Sequence, residues 1–344
     1  MATQETQLLD DIITTSRRRM LTLGLTSLAG AAVGALAPSA HAATASYTDA
    51  DILNFALNLE YLEANFYYLA AFGTTIDKAN AASTAAGAPL ITLSGTVGTA
   101  GTVTGGSQVP FTAITVASYA IETAVEEGKH VQLLLSALGN SAVAQPALNL
   151  GTSFQTLASA AKIPGGSSFS PYASDEAFLV GAYVFEDVGV TAYHGAASLI
   201  TSPANLTTAA GILAVEAYHA GLVRTTINYL DPTGATIGGY TNLISALRAS
   251  LSQAGLLGAA PSAYDTNPDD FGLATFSVSL GGSSATATRL TDADSTDVVA
   301  FARNTTQVLN IVTGGGAVSG GAVASPAMGV FFPTGLNAGP NGFR

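Results

Sequence analysis

The stretch VEAYHAGL, residues 215–222, places a glutamate and a histidine three positions apart inside an apolar run, AAGILAVEAYHAGLVRTTINYL. Residues three apart share one face of a helix, so Glu216 and His219 form either a surface pair or an inward-facing pair. A buried carboxylate needs a partner or an ion, because burying an unpaired charge is costly. One E-x-x-H pattern alone does not separate a surface pair from a metal site.

The same spacing occurs a second time, in the segment VEEGKHVQ, which carries Glu127 and His130. The whole chain has only four histidines, and two of them stand in this pattern. The recurrence favours a common role for both segments over two unrelated surface pairs.

Two further apolar segments contribute a different repeated pattern. Glu60 lies in LNLEYLEANFY and Glu186 in YVFEDVGVTAY, and each is followed seven positions later by a tyrosine, Tyr67 and Tyr193. Seven residues are two helical turns, so each tyrosine lies near the same face as its glutamate. The chain therefore contains an E-x6-Y helix followed by an E-x-x-H helix, and this pair occurs twice.

This repeated set has the composition of a two-metal site. A four-helix bundle can hold two metal ions with one glutamate from each of two helices and an E-x-x-H pair from each of the others. Four carboxylates balance two divalent ions, and oxygen with imidazole ligands suits iron or manganese. The predicted metal ligands are Glu60, Glu127, His130, Glu186, Glu216 and His219.

The residues beside these ligands have predicted supporting roles. Glu63 is an alternative ligand from the first helix, but its counterpart in the repeat is Gly189, so the repeat favours Glu60. We expect the hydroxyls of Tyr67 and Tyr193 to bond to ligand carboxylates. No separate catalytic residue is predicted.

Two acidic residues directly adjoin predicted ligands in the sequence. Glu126 precedes Glu127, and Asp187 follows Glu186. Neighbouring residues point in different directions from a helix, so we expect these two side chains to face solvent or to support the ligands from outside.

Four long helices are predicted from apolar periodicity and from capping residues. Thr48, Ser174 and Ser202 are suitable caps, and Gly139 is a suitable stop. A Gly/Thr-rich insertion, with a possible hairpin near 90–104, separates the first helix from the second. One short helix is expected between the second and third. The predicted long helices cover residues 48–72, 111–138, 174–200 and 204–230.

The remainder of the chain, residues 231–344, has a different character and is predicted to be an irregular extension packed on the helices. It has a helical segment near 240–256 and two short strands around Gly281 and Gly282. The segment 292–312 is also expected to be helical. Nothing in this region groups titratable residues, so no second catalytic domain is predicted.

The overall composition limits the classes of partner. Charged residues make up 10% of the chain and the net charge is −12, so nucleic acid is not expected as a partner. There is no cysteine, which excludes disulfides, thiolate metal sites and a rubredoxin-type iron centre. Among dimetal chemistries, this disfavours an electron-fed peroxidase that needs such a centre.

The N-terminus has the features of an export signal. Arg17 and Arg18 form a twin-arginine pattern, a moderately apolar stretch follows, and Ala40-His41-Ala42 matches an A-x-A cleavage site. We therefore predict a signal peptide over residues 1–42, a bundle over 43–230, and a location in the periplasm or at the cell surface or outside the cell. No stable membrane span is expected after cleavage.

Several segments together resemble the ferritin-like superfamily: NFALNLEYLEANFYYLAA, VEEGKHVQLLLSALG, FEDVGVTAYHGAA and VEAYHAGLVR. The tail segments DVVAFARNTTQVLNIV and GVFFPTGLN resemble the C-terminal signature of exported bacterial ferritin-like proteins related to plant desiccation-related proteins. The resemblance implies an all-α core, a ferritin-like four-helix bundle with the insertion between helices one and two and an irregular C-terminal extension with short strands. It also implies a dimetal carboxylate centre that reacts with oxygen or peroxide, and it suggests a homodimer.

Two functions remain open at this point. The first is a dimetal oxidoreductase, catalase-like or ferroxidase-like, acting on peroxide, oxygen or ferrous iron. The second is a non-catalytic structural or desiccation-stress protein, in which the metal site is structural or empty. Access to the metals distinguishes them, because an enzyme needs an open coordination position and a structural site does not.

Overall fold

A computed structural model describes residues 47–254, 269–294, 296–314, 318–319, 322–323 and 329–338. The predicted signal peptide and its cleavage site lie outside the described residues. Nine helices and six short strands are assigned within the described ranges. The helices are α1 (Asp49–Phe72), α2 (Ala81–Ala85), α3 (Ile114–Leu138), α4 (Thr152–Ala160), α5 (Asp175–Tyr183), α6 (Glu186–Ala197), α7 (Pro203–Leu230), α8 (Ile237–Ala254) and α9 (Thr305–Thr313).

The core is a bundle in which α1 packs against α3, and α6 packs against α7. The two pairs face each other through contacts of α1 with α6 and of α3 with α7. The mostly helical architecture confirms the predicted all-α four-helix fold. The metal ligands predicted from the sequence all lie on these four helices.

The helix starts follow the capping residues in the sequence. The Thr48 side chain accepts a hydrogen bond from the backbone N–H of Asp51, whose carboxylate accepts one from Thr48 in return. The Ser174 and Ser202 side chains accept hydrogen bonds from the Ala177 and Asn205 N–H groups at the starts of α5 and α7, and Pro203 occupies the first position of α7. Such caps satisfy backbone N–H groups that have no partner within the helix, which fixes where each helix begins.

The third long helix is broken, whereas the sequence predicted one continuous helix over 174–200. The α5 helix ends at Tyr183 and α6 begins at Glu186. An Arg248 guanidinium nitrogen donates to the backbone oxygen of Tyr183 at 2.8 Å. A side chain inserted into the helical hydrogen-bond ladder is a recognised cause of a kink. Because Arg248 lies on α8, local periodicity could not reveal the break.

The Gly/Thr-rich insertion does not form the expected hairpin. Its strand β1 (Val103–Thr104) pairs in parallel with β2 (Leu148–Asn149), and Val97 forms a parallel bridge to Val143. Both partners come from the segment that follows α3. The hairpin prediction was therefore wrong, because the alternating residues find their partner far along the chain.

Helix α1 is buried on nearly all sides, and asparagine side chains fix the chain segments that cross it. Asn54 donates to the Ser141 backbone oxygen at 2.9 Å and accepts from the Val143 N–H at 2.9 Å. One turn later, Asn58 donates to the Asn337 backbone oxygen at 2.8 Å and accepts from the Asn337 N–H at 2.9 Å. These amides satisfy buried backbone groups, so they hold both the connection after α3 and the C-terminal segment against α1.

The C-terminal extension packs on the bundle, with α8 in contact with α5 and α7, and α9 in contact with α6 and α8. The predicted strand pair is present as an antiparallel hairpin of β3 (Thr275–Leu280) and β4 (Ser283–Thr288). A second short pair joins β5 (Val318–Ser319) and β6 (Ala322–Val323).

The helix predicted over 292–312 is shorter than expected, because α9 starts only after its Asn304 cap. None of the described residues between 292 and 304 is helical. The Asp294 carboxylate accepts hydrogen bonds from the backbone N–H groups of Thr296, Asp297 and Val299. These bonds offer the backbone an alternative to a helix, as aspartate does in many turns.

Helix α7 is long and apolar enough to cross a membrane by length and composition. The same test is passed by core helices of proteins that do not enter a membrane. In this structure α7 packs against α6, and its Ile212, Val223 and Ile227 side chains are buried in the bundle. Its apolar composition is therefore accounted for in part by its place in the bundle.

Candidate metal centre

The six predicted ligands come together inside the bundle as two overlapping groups, each with three carboxylates and one histidine. In each group, one ligand atom of every residue lies within 4.8 Å of the others, and every residue is buried. Glu127 and Glu216 belong to both groups. The groups are Glu60, Glu127, His130 and Glu216, and Glu127, Glu186, Glu216 and His219.

Both histidines present Nδ1 to the carboxylates. His130 Nδ1 lies 3.4 Å from a Glu60 oxygen and 3.5 Å from an oxygen of Glu127 and from one of Glu216. His219 Nδ1 lies 3.0 Å from a Glu127 oxygen. Helix spacing produces this arrangement, because residues three apart on α3 and on α7 project toward one point.

The donor atoms of the six residues are compatible with bound metal cations. Eight buried side-chain atoms of the six residues have no hydrogen-bond partner in the described part of the chain. Buried polar atoms are rarely left without a partner, and a metal ion is one partner that would satisfy this cluster. Both oxygens of Glu127 and of Glu216 lack a hydrogen-bond partner, so either oxygen of each carboxylate could hold an ion.

Glu60 and Glu186 each use one oxygen for a tyrosine and leave the other for the centre. Tyr193 on α6 donates its hydroxyl to Glu60 on α1, and Tyr67 on α1 donates to Glu186 on α6. The two bonds cross between the helices and follow the sequence repeat. Burial and the facing carboxylate raise the pKa of both tyrosines well above the usual range, so both hydroxyls keep the proton that they donate.

The groups of the centre shift one another's pKa values in both directions. Burial alone would raise the pKa of Glu127, but His130 and His219 outweigh it and lower that pKa. Burial raises the pKa of Glu60 to about 7, although His130 opposes this shift. Burial alone would lower the pKa of His130, but Glu60 and Glu127 outweigh it and raise that pKa. Burial alone would likewise lower the pKa of His219, but Glu186 and the other neighbouring carboxylates outweigh it and raise that pKa. Metal ions would have to displace these protons, so binding depends on pH.

Glu126 makes a contact beside the centre that the sequence did not specify. Its carboxylate lies 2.7 Å from His219 Nε2, and the side chain is 38% exposed. A carboxylate on the outer nitrogen of a metal-binding histidine fixes the ring and directs the other nitrogen toward the ion. Local sequence predicts only a solvent-facing or supporting position for this residue, because its partner lies on another helix.

Glu63 lies beside the centre but in neither ligand group. The geometry therefore selects Glu60 as the first-helix residue of the set. Burial, followed by repulsion from Glu216, raises the pKa of Glu63 well above the usual range. Its repeat counterpart Gly189 has no room for a side chain, because a Cβ there would lie 2.2 Å from a Glu216 oxygen. The repeat is thus broken at this pair of positions.

Asp187 is buried, which corrects the expectation that it could face solvent. Its carboxylate accepts from Arg224 and from Arg248, each at 2.9 Å. Single arginines in apolar helices were the available sequence signal, since such a residue either snorkels or finds a buried partner. A third cluster of carboxylates lies here and consists of Asp187, Asp270 and Asp292. Arginines already form ion pairs with two of its members, Asp187 and Asp270.

A bundle whose interior holds paired glutamate and histidine groups is characteristic of ferritin-like proteins. The family model for the ferritin-like domain matches residues 48–229, so this chain belongs to the ferritin-like domain family. The chain is also similar to the desiccation-related protein PCC13-62 of Craterostigma plantagineum, with 34% identity over 220 residues. That match covers 61% of this chain and 64% of the plant protein. A comparison with solved structures finds no match.

Proposed function

We propose that this protein binds two iron or manganese ions between its four bundle helices and uses them for oxidoreductase chemistry in stress protection. The observation that carries the proposal is the cluster of eight buried, unpartnered ligand atoms. The substrate would be peroxide, oxygen or ferrous iron. When bound, the ions would supply one-electron redox chemistry and Lewis acidity.

Each residue of the centre has a part in this proposal. Glu60 and His130 would hold one ion, Glu186 and His219 the other, and two carboxylates would lie between them. Tyr193 would fix the Glu60 carboxylate through the oxygen that faces away from the ions. Glu127 and Glu216 belong to both ligand groups and would help to hold both ions, a role that their unpartnered oxygens support.

Export is part of the same proposal. The twin-arginine pattern at Arg17 and Arg18 supports transport of a folded protein to the periplasm or beyond. A centre buried among four helices requires folding before the ligands meet, so metal would be acquired before transport. This order fits a route that carries folded proteins.

A structural role is the second candidate function. The centre joins four helices, and its ligands are 0–7% exposed, so bound ions would stabilise the bundle even without turnover. The name of the plant relative, which refers to desiccation, supports a stress role without specifying chemistry.

Metal analysis combined with turnover assays separates these proposals. We expect about two iron or manganese ions per chain in the purified mature protein, as in dimetal bundles. The double variant Glu127→Ala/Glu216→Ala should lose them. The matched double variant Glu122→Ala/Glu176→Ala, at exposed positions, should retain them.

The outcomes differ for each function. Consumption of peroxide or oxygen by the metal-loaded protein, lost in the first double variant, would support the enzyme. Stoichiometric metal without turnover would support the structural role. A folded protein that takes up no iron or manganese would contradict both metal-dependent proposals.

A further inference from the structure

Two cavities lie beside the centre, and both are lined by Leu59 and Glu63 of α1. Cavity A, about 40 Å³, lies between α1, α4, the α5–α6 break, α8 and α9. Cavity B, also about 40 Å³, lies between α1, α6, α7 and α9, and reaches Glu60 and Tyr193. The cavities therefore converge on the Glu63 side of the predicted metal site.

The walls of cavity A are almost entirely aliphatic and aromatic. Its charged lining residues are Glu63 and Arg248. The Arg248 guanidinium is already paired with Asp187 and Asp270. Of these two ionisable side chains, Glu63 is the one that has no ion pair among the described residues.

Cavity B has a similar character away from the centre. Its Arg303 is bound to Asp269 and Asp270, and its Tyr193 hydroxyl is donated to Glu60. The remaining wall is mostly aliphatic and small. The remaining ionisable side chains of cavity B, Glu60 and Glu63, thus lie at the end of the cavity nearest the predicted metal site.

The size and lining select a class of occupant. A water molecule needs roughly 10–15 Å³ of such space, so 40 Å³ accommodates a molecule of two or three heavy atoms. Water in an apolar cavity lacks the two to four polar partners that it needs. A ferrous ion would lose its hydration without replacement ligands, which is prohibitive along an apolar wall.

The C-terminal extension contributes to the walls of both cavities. Ile311, Val312 and Phe331 line cavity A, and Val308 with Thr305 lines cavity B. The extension therefore has a place beside the centre, although none of its described residues belongs to either ligand group.

We infer that cavities A and B bind dioxygen. From these cavities, dioxygen would reach the proposed metal centre at the side where Glu63 lies. The inference rests on the proposed function and narrows it, because a small uncharged apolar molecule fits these walls and a metal ion does not. Ferrous iron would have to enter by another route.

Xenon, an apolar atom that occupies dry apolar cavities, is a suitable probe. Crystals of the metal-loaded protein under xenon pressure should show xenon in both cavities. Ala158→Leu should remove it from cavity A, and Ala56→Leu from cavity B, because each alanine lines one of them. Ala210→Leu, at an exposed position on α7, is the matched control and should change neither cavity.

The same variants test delivery. We expect dissolved oxygen to oxidise the reduced centre several-fold more slowly in the combined Ala158→Leu/Ala56→Leu variant, at unchanged metal content, and at the wild-type rate in Ala210→Leu. If the combined variant loses metal, Ala158→Val and Ala56→Val provide milder filling.

Metal content measured on the same samples keeps the two proposals distinct. A chain without metal would overturn the proposed function. A metal-loaded chain with no xenon in either cavity would overturn the binding site. Unchanged oxidation rates after both cavities have been filled would overturn its role in oxygen delivery.

Discussion

Tyr193 donates a hydrogen bond to one oxygen of Glu60, and Tyr67 donates one to Glu186. In each carboxylate the other oxygen has no hydrogen-bond partner among the described residues. We expect Tyr193→Phe to leave the Glu60 carboxylate without its fixed orientation and to weaken metal binding about 10- to 100-fold, as for other ligand-supporting residues. Competition with a chelator of known affinity measures the effect. Tyr172→Phe is the matched control, because the buried Tyr172 hydroxyl has no hydrogen-bond partner among the described residues. Equal affinities of both variants would contradict the supporting role.

The buried carboxyl of Asp292 is expected to make the stability of the protein depend on pH. Burial, with repulsion from Asp270 and Asp187, raises its pKa from 3.8 to about 8. Because the folded state holds this proton more tightly, the contribution to stability is fully present below pH 3.8 and is lost as pH rises toward about 8. We expect Asp292→Asn to remove this loss.

Urea unfolding at pH 5 and pH 9 tests the Asp292 prediction. The variant should gain stability relative to the wild type at the higher pH. Asp297→Asn, at an exposed position, should follow the wild type at both. A parallel pH dependence of Asp292→Asn and the wild type would show that this carboxyl does not titrate as stated.

At the scale of elements, one carboxylate joins the starts of two bundle helices. Asp49, in the first turn of α1, accepts hydrogen bonds from the Thr201 and Ser202 backbone N–H groups and from the Asn205 side chain. These bonds lower the pKa of Asp49 below its usual range, beginning with the Thr201 bond. Its contribution is therefore present above pH 3.8 and is lost as pH falls further.

We expect Asp49→Ala to lower the free energy of unfolding by about 1 kcal/mol at neutral pH, the usual effect of losing a helix cap. Asp77→Ala is the control, since exposed Asp77 accepts a bond from its near neighbour Thr75. Chemical denaturation of both variants provides the measurement. If Asp77→Ala destabilises as much as Asp49→Ala, the link between α1 and α7 contributes nothing specific.

The break between α5 and α6 is an element whose cause is tertiary. Arg248 takes the Tyr183 carbonyl and also binds Asp187, so α8 is tied to both sides of the break. The break places Glu186 in the first turn of α6, where it faces the centre. An irregularity in a bundle helix thus coincides with a ligand position.

Ions held by the proposed centre would couple metal binding to the folding of the whole chain, because the ligands meet only in the folded bundle. Ions that bind only the folded state would stabilise it by about 2.7 kcal/mol when free metal is at 100 times the dissociation constant. We expect the thermal midpoint to fall when a chelator removes the metal. The difference should shrink at acid pH, because protons on Glu60, His130 and His219 compete with the ions.

Calorimetry with and without chelator measures this coupling. The double variant Glu127→Ala/Glu216→Ala serves as the control and should show no dependence of its midpoint on metal. An equal shift in this variant would mean that the ions act elsewhere on the chain.

Features that depend on neighbours within about two turns of a helix could be predicted from the sequence. Helix starts followed from Thr48, Ser174 and Ser202, and the repeated glutamate, histidine and tyrosine spacing identified residues that the structure brings together. Such patterns are readable because a helix fixes which residues share a face. The ferritin-like fold was predictable for the same reason.

Contacts between residues that lie far apart in the chain became known only from the tertiary structure. These include the break caused by Arg248, the parallel pairing of the insertion, the contact between Glu126 and His219, and the two cavities beside Glu63. Each depends on packing between elements, which local periodicity does not encode. The ligand types could thus be predicted from spacing, whereas access to the centre follows from how the extension covers the bundle.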